Sequence, residues 1–189
     1  MDKPFFLNRA LRVLIITNSI ILLASALLGP IYAVFVEKVG GSLLDASWAG
    51  GIYAFVAGIT VLFSGRMVDR VKESELIIVA GYTVMGFGFL SYVLVDSVSA
   101  LFATQVLIGL GAAIYAPAFD ALYSKHLDSH KSGVEWGAWE SVTYLTVAIG
   151  AVLGGLVVTE FGFNALFATM AALSFGSALF IWRLPRRVL

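Results

Sequence analysis

The sequence contains no cysteine, which excludes disulfide frameworks, thiolate metal sites and thiol nucleophiles. Histidine is nearly absent: His126 and His130 are the only two. Four residues apart, they could share a helix face, but they fall in a polar stretch beside Asp128 and Lys131, so no metal site is expected from them. Charge is scarce as well. Twelve basic and 12 acidic residues cancel to zero net charge and make up 13% of the 189 residues, about half of the usual share of about 25%. The middle of every long apolar run lacks Asp, Glu, Lys, Arg and His. No His stands near an acid in such a run, and nothing marks an activated serine, so neither an enzyme nor a cofactor is expected.

Apolar residues fill the space that charge leaves. They make up 60% of the chain with a mean hydropathy of +0.94, against about 45–50% in ordinary soluble domains. A single small core cannot use that much, so bilayer is the expected solvent. Nineteen glycines fit this, because Gly lets membrane helices approach closely. The apolar segments run Leu11–Val36, Ser47–Val68, Leu76–Val95, Val98–Tyr123, Trp136–Thr159 and Asn164–Trp182. Each is near the roughly 20 residues that a spanning helix needs, and each is apolar on all faces rather than along one stripe. The expected fold is an all-α membrane protein of six transmembrane helices. The first segment is too long for a cleaved leader and is followed by no convincing small-residue cleavage site.

The basic residues set the orientation. Lys3, Arg9 and Arg12 gather at the start of the first segment; Arg66, Arg70 and Lys72 at the end of the second; Lys125 and Lys131 after the fourth; Arg183, Arg186 and Arg187 after the sixth. The opposite connections, Glu37–Ala46, Asp96–Ser97 and Glu160–Phe163, hold Lys38 and acids only. By the positive-inside rule the basic side is cytoplasmic, with both chain ends inside. The expected location is the plasma (inner) membrane. Bases scattered over membrane ends form no nucleic-acid patch.

A weak internal repeat runs through the chain. Pro30 pairs with Pro117 and Lys38 with Lys125 at an offset of 87, Trp48 with Trp136 at 88, Gly65 with Gly155 at 90 and Met85 with Met170 at 85. The chain therefore reads as one domain over 1–189, made of three-helix repeats at 11–95 and 98–182. The first repeat starts inside and the second outside, which makes them inverted repeats.

Three motifs carry a family resemblance. The run Gly65-Arg66-Met67-Val68-Asp69-Arg70-Val71-Lys72 resembles the loop signature of the major facilitator superfamily, and it falls between spans two and three on the basic side, where that family places it. Gly65, Asp69 and Arg70 match; Lys72 stands where a second Gly belongs. Gln105 to Gly111, followed by Pro117, is similar to the family's fourth span, with Gln105 where many members have Arg. Gly150, Gly154 and Gly155 resemble the fifth-span glycine motif of exporters, with Ala151 in place of Pro. The resemblance implies a transporter that works by alternating access, weakly efflux-like, with Gly65, Arg66, Asp69 and Arg70 as a cytoplasmic gate. Asp69 would cap a neighbouring helix, and Arg66 and Arg70 would pair with acids such as Asp120 or Glu140. The bland alternative is that these are snorkelling anchors.

Polar residues within the spans outline a candidate cavity. Asn18, Ser25 and Tyr32 recur on the first span, Tyr53 and Thr60 on the second, Gln105 and Tyr115 on the fourth, and Tyr144 on the fifth. In lipid such groups must face protein or a wet space; helix-packing glue is the competing role. Spans three and six carry fewer, in keeping with the resembled fold, where the third helix of each triplet lies outside. Asp120 and Glu140 are candidate gate or coupling acids. Gly150, Gly154 and Gly155 are candidate packing glycines.

The resembled family normally has two such six-helix units. A transporting chain of this length therefore implies a homodimer or a second six-helix half, around a small-molecule substrate that the sequence does not identify. The alternatives are a non-transporting six-helix scaffold or regulatory subunit, and a truncated fragment of a twelve-helix transporter.

Overall fold

A computed structural model describes residues 7–185 and 188–189. Lys3, Arg186 and Arg187, counted above among the basic ends, lie outside the described residues. Among the described residues there are helices and turns and no strand. The elements are α1 (Arg9–Leu28), a 3-10 turn (Gly29–Ile31), α2 (Tyr32–Lys38), α3 (Leu43–Val68), α4 (Ser74–Ser91), a second 3-10 turn (Tyr92–Leu94), α5 (Val98–Lys125) and α6 (Ser132–Arg183).

Local chemistry explains the element starts. Asn8 accepts from the Leu11 N–H and caps α1. Ser42 and Asp45 form a reciprocal capping box at the start of α3, satisfying donors that a helix start leaves open. Ser97 caps α5. The capping box makes Leu43–Ala46 helical, so the connection after the first span is shorter than the expected Glu37–Ala46. Pro30 sits in the 3-10 turn and ends α1, because it has no N–H to continue the helical ladder.

The sequence divides into six apolar segments; among the described residues five helical stretches are long and apolar enough to cross a membrane, and the last of them, α6, is two helices that meet at a kink. The fifth and sixth segments run on as the 52-residue α6, and the expected connection Glu160–Phe163 shrinks to one non-helical residue, Gly162, at φ 79° and ψ 174°. A positive φ there is open to Gly at little cost. A straight helix of this length would measure about 78 Å at about 1.5 Å per residue. Instead α6 folds back. Gly150 faces Leu23 and Ala26, and Gly154 faces Leu27, so the arm before Gly162 runs parallel to α1. Phe163 and Phe167 pack on Phe35 while Ser177 donates to the Thr17 carbonyl, so the arm after Gly162 runs antiparallel to it.

Close helix contacts rest on small residues. A Cβ on Gly81 would stand 2.8 Å from the Gly111 carbonyl oxygen, and one on Gly111 would stand 2.7 Å from the Met85 nitrogen; this brings α4 and α5 backbone to backbone. Within this unit spans three and six are well packed: Tyr82, Met85 and Phe89 of α4 are buried, as are Phe163, Leu166, Phe167, Met170 and Ile181 of the second α6 arm. By contrast α3 buries only Ala49, Ser64 and Val68. The reason is contact geometry: α4 is sandwiched between α5 and α6, whereas α3 leans on α5 and little else.

Candidate functional site: a neutral cavity around Gln105

The fold places an open cavity of about 330 Å³ where the broken first span meets α3, α4, α5 and the second arm of α6. That volume sits at the small end of the roughly 300–1,000 Å³ typical of ligand sites. Ser25, Leu28, Gly29 and Tyr32 line it from the first span, Gly50 and Tyr53 from α3, Met85, Phe89 and Tyr92 from α4 and its closing turn, Gln105 and Ile108 from α5, and Met170 from α6. It lies in the half of the bundle nearer Lys38, Ser42 and Ser97, since its residues come from the later parts of the first and third spans and the earlier parts of α3 and α5.

Gln105 organises the site. It is 6% exposed, and its Nε2 donates to Tyr32 Oη at 2.9 Å and to Tyr92 Oη at 2.6 Å. The Tyr92 ring stacks on Phe167 at 4.8 Å and meets Phe35 edge-on at 5.5 Å. One amide thus joins the break in the first span, the end of α4 and the aromatic cluster below the Gly162 turn. Among the described residues no charged side chain lines the cavity.

The sequence-derived residues divide. Ser25, Tyr32, Tyr53 and Gln105 come together in the cavity. Asn18 does not: it is buried at the α1–α4 contact, where its Oδ1 accepts from Tyr82 Oη at 3.1 Å. Tyr115 packs edge-on against Tyr82, ring centroids 4.9 Å apart. Thr60 is half-buried on α3, outside the cavity lining. Tyr144 is 72% exposed on the first arm of α6. The residue that sequence reasoning missed is Tyr92. Its signal was a tyrosine 13 positions before Gln105, on a span set aside as poor in polar groups.

At the opposite end, Gly65, Arg66, Asp69 and Arg70 close α3 and enter the turn. Arg66, Asp69 and Arg70 are exposed. The expected pairing of Arg66 or Arg70 with Asp120 or Glu140 is not made among the described residues, and all four residues are exposed. A different set of contacts holds this end. Tyr123 Oη donates to the Glu135 carbonyl at 2.6 Å, the buried Glu135 carboxylate accepts from the Asp128 N–H at 2.8 Å, and Phe119 packs on Trp139. His126 bonds the Leu122 carbonyl through Nδ1, and no cluster of three or more metal-ligating side chains occurs among the described residues. Gly150 and Gly154 touch α1, whereas Gly155 opens on empty space.

Comparison with known proteins adds to this geometry. The profile of the Major Facilitator Superfamily matches residues 14–188. A multidrug resistance protein MdtG of Proteus mirabilis is 26% identical over 182 residues, covering 92% of this chain and 45% of the relative. MdtG of Erwinia billingiae is 25% identical, covering 95% of this chain and 44% of the relative. A tetracenomycin C resistance and export protein of Streptomyces glaucescens is 28% identical over 133 residues, covering 69% of this chain and 24% of the relative. The chain thus spans less than half the length of each of these relatives.

Proposed function

We propose that this chain, which belongs to the major facilitator superfamily, is a six-pass half-transporter that moves a small solute by alternating access. It is an integral, multi-pass membrane protein. The cavity around Gln105 carries the functional reading: a hollow of ligand size, lined from the broken first span, α3, α4, α5 and α6, with a buried amide at its centre.

Six passes follow if Gly162 turns the chain within the interface, since each α6 arm is then long enough for a hydrocarbon core of about 30 Å. The positive-inside rule puts the Gly65–Lys72 turn in the cytoplasm, so the cavity opens toward the outer half. The inverted-repeat reading draws support from two of its pairs: Met85 and Met170 both line the cavity, and Lys38 and Lys125 each end a helix. The gate role of Gly65, Arg66, Asp69 and Arg70 requires partners in another state or another half. Relatives named for multidrug resistance and export support efflux in the plasma membrane.

A second half completes the carrier. Phe55, Leu62 and Phe63 on α3 and Leu145, Val152 and Leu156 on the first α6 arm are exposed, and Tyr144 and Glu140 stand among the latter. Both termini on one side allow a second copy to pack in the same orientation about an axis along the membrane normal. The test is dye accumulation in bacterial cells stripped of their own drug carriers, using fluorescent dyes of different charge. Cells making the chain should retain less of at least one dye, and Gly50→Trp, which fills open space in the cavity wall, should restore retention. Unchanged retention of every dye with the protein correctly inserted would overturn the transport reading.

A further inference from the structure

We infer that the cavity selects an uncharged, flat aromatic solute bearing an N–H or O–H group, and that Gln105 Oε1 is the acceptor that reads that group. The inference rests on the transporter reading for its purpose, but not for its geometry. A glutamine side chain offers two N–H donors on nitrogen and a carbonyl oxygen with two lone pairs. Both donors are committed, one to Tyr32 Oη at 2.9 Å and one to Tyr92 Oη at 2.6 Å. Those two bonds pin the amide from two sides. Oε1 has no partner among the described residues, although the side chain is only 6% exposed and lines the cavity. Oε1 keeps its own exposure to the cavity, so a solute donor that displaces water there can pair with it.

The walls decide the rest of the solute. Tyr32, Tyr53 and Phe89 supply aromatic surface, and Met85 and Met170 supply polarisable thioethers that adapt to flat rings. Among the described residues no side chain of the lining can carry a counter-charge at neutral pH. The nearest basic residue along the first span, Lys38, is held over the Phe163 ring at 5.2 Å. An anion entering here would lose its water without gaining a cation, and a cation would find no carboxylate; burying either charge unpaired is unfavourable. A neutral solute avoids that loss. A site that hydrogen-bonds a substrate N–H or O–H also rejects an isostere lacking it, because its own polar group is then left unpaired. Specificity in this cavity therefore comes from one carbonyl oxygen, and the two tyrosines position it.

The test uses the full chain in lipid nanodiscs and four probes of one shape: carbazole, which has a ring N–H; dibenzofuran, its isostere without the donor; a carbazole carboxylate; and a carbazole bearing a trimethylammonium group. Saturable binding above empty nanodiscs is measured by equilibrium dialysis. The expected result is carbazole bound at least about tenfold more tightly than dibenzofuran, a scale set by one satisfied buried hydrogen bond, with the carboxylate not bound saturably. Gln105→Leu should bring carbazole and dibenzofuran to equal affinity, and Gln105→Glu should raise affinity for the trimethylammonium probe. Equal binding of carbazole and dibenzofuran by the unaltered chain, carboxylate binding as tight as carbazole, or no saturable binding would each overturn the inference. Dye accumulation in cells reports on transport separately. Carbazole selectivity without efflux would leave the site standing and remove the transporter reading; efflux without selectivity would do the reverse.

Discussion

Ser64 Oγ donates a 2.6 Å hydrogen bond to the carbonyl of Ala113, the carbonyl that Pro117 inside α5 has no N–H to serve. A side chain of α3 thereby mends the gap that proline leaves in α5, one residue before the Gly65–Asp69 motif begins. Ser64→Ala removes the donor and leaves that carbonyl buried and unpaired, at a cost of about 1–3 kcal/mol. Denaturant unfolding in detergent should register that loss. The same substitution in a Pro117→Ala background should cost less, because the backbone N–H at 117 is restored and the two sites couple.

Gly154 and Gly155 differ by one position and should differ sharply in tolerance. A Cβ at Gly154 would run into the Leu27 backbone, reaching 2.9 Å from its Cα, while a Cβ at Gly155 meets nothing within 4 Å. Gly154→Ala should lower the yield of folded, monodisperse protein and its melting temperature. Gly155→Ala should leave both unchanged. Equal tolerance at the two positions, read by size-exclusion chromatography and thermal unfolding, would remove the close α1–α6 contact.

Much of this was legible in the sequence. The apolar runs gave the helices because a bilayer demands long, uniformly apolar segments, and that demand is written in composition. The Ser25, Tyr32, Tyr53 and Gln105 group was legible because polar side chains in such runs stand out. Asn18 stood out equally but serves a helix contact with Tyr82, and periodicity cannot tell a packed polar face from a wet one. The shortness of the connection at Glu160–Phe163 was hidden because one glycine at positive φ can turn the chain between two helices. Tyr92 was missed because its role depends on the α4–α5 approach at Gly81 and Gly111, which no local pattern encodes.

Topology is testable because the chain has no cysteine of its own. Single cysteines at Ser42 or Ser97 should react with an impermeant thiol reagent added outside intact cells. Cysteines at Ser74 or Ser129 should react only after the membrane is opened. Reversed labelling would turn the molecule over and move the Gly65–Lys72 turn out of the cytoplasm.

Asp69 follows α3 as its exposed C-terminal cap, with its N–H bonded to the Gly65 carbonyl at 3.3 Å. Asp69→Asn keeps the shape and removes the charge. Transport should change several-fold while insertion and melting temperature stay as in the unaltered chain. Normal transport by a normally expressed Asp69→Asn chain would reduce Asp69 to an ordinary interfacial charge.

The central claim is that two six-helix units complete one carrier, and the exposed faces of α3 and of the first α6 arm are where they would meet. Single cysteines at Phe55 and Tyr144, 70% and 72% exposed, and a control cysteine at Phe180 on the second arm, 50% exposed, can be treated with a short bifunctional maleimide in native membranes and the products weighed. The expected result is a product of twice the chain mass, containing this chain alone, from Phe55 or Tyr144 and not from Phe180. A chain that remains monomeric at all three positions, or joins only to a different protein, would contradict self-pairing and with it transport by a homodimer of this chain.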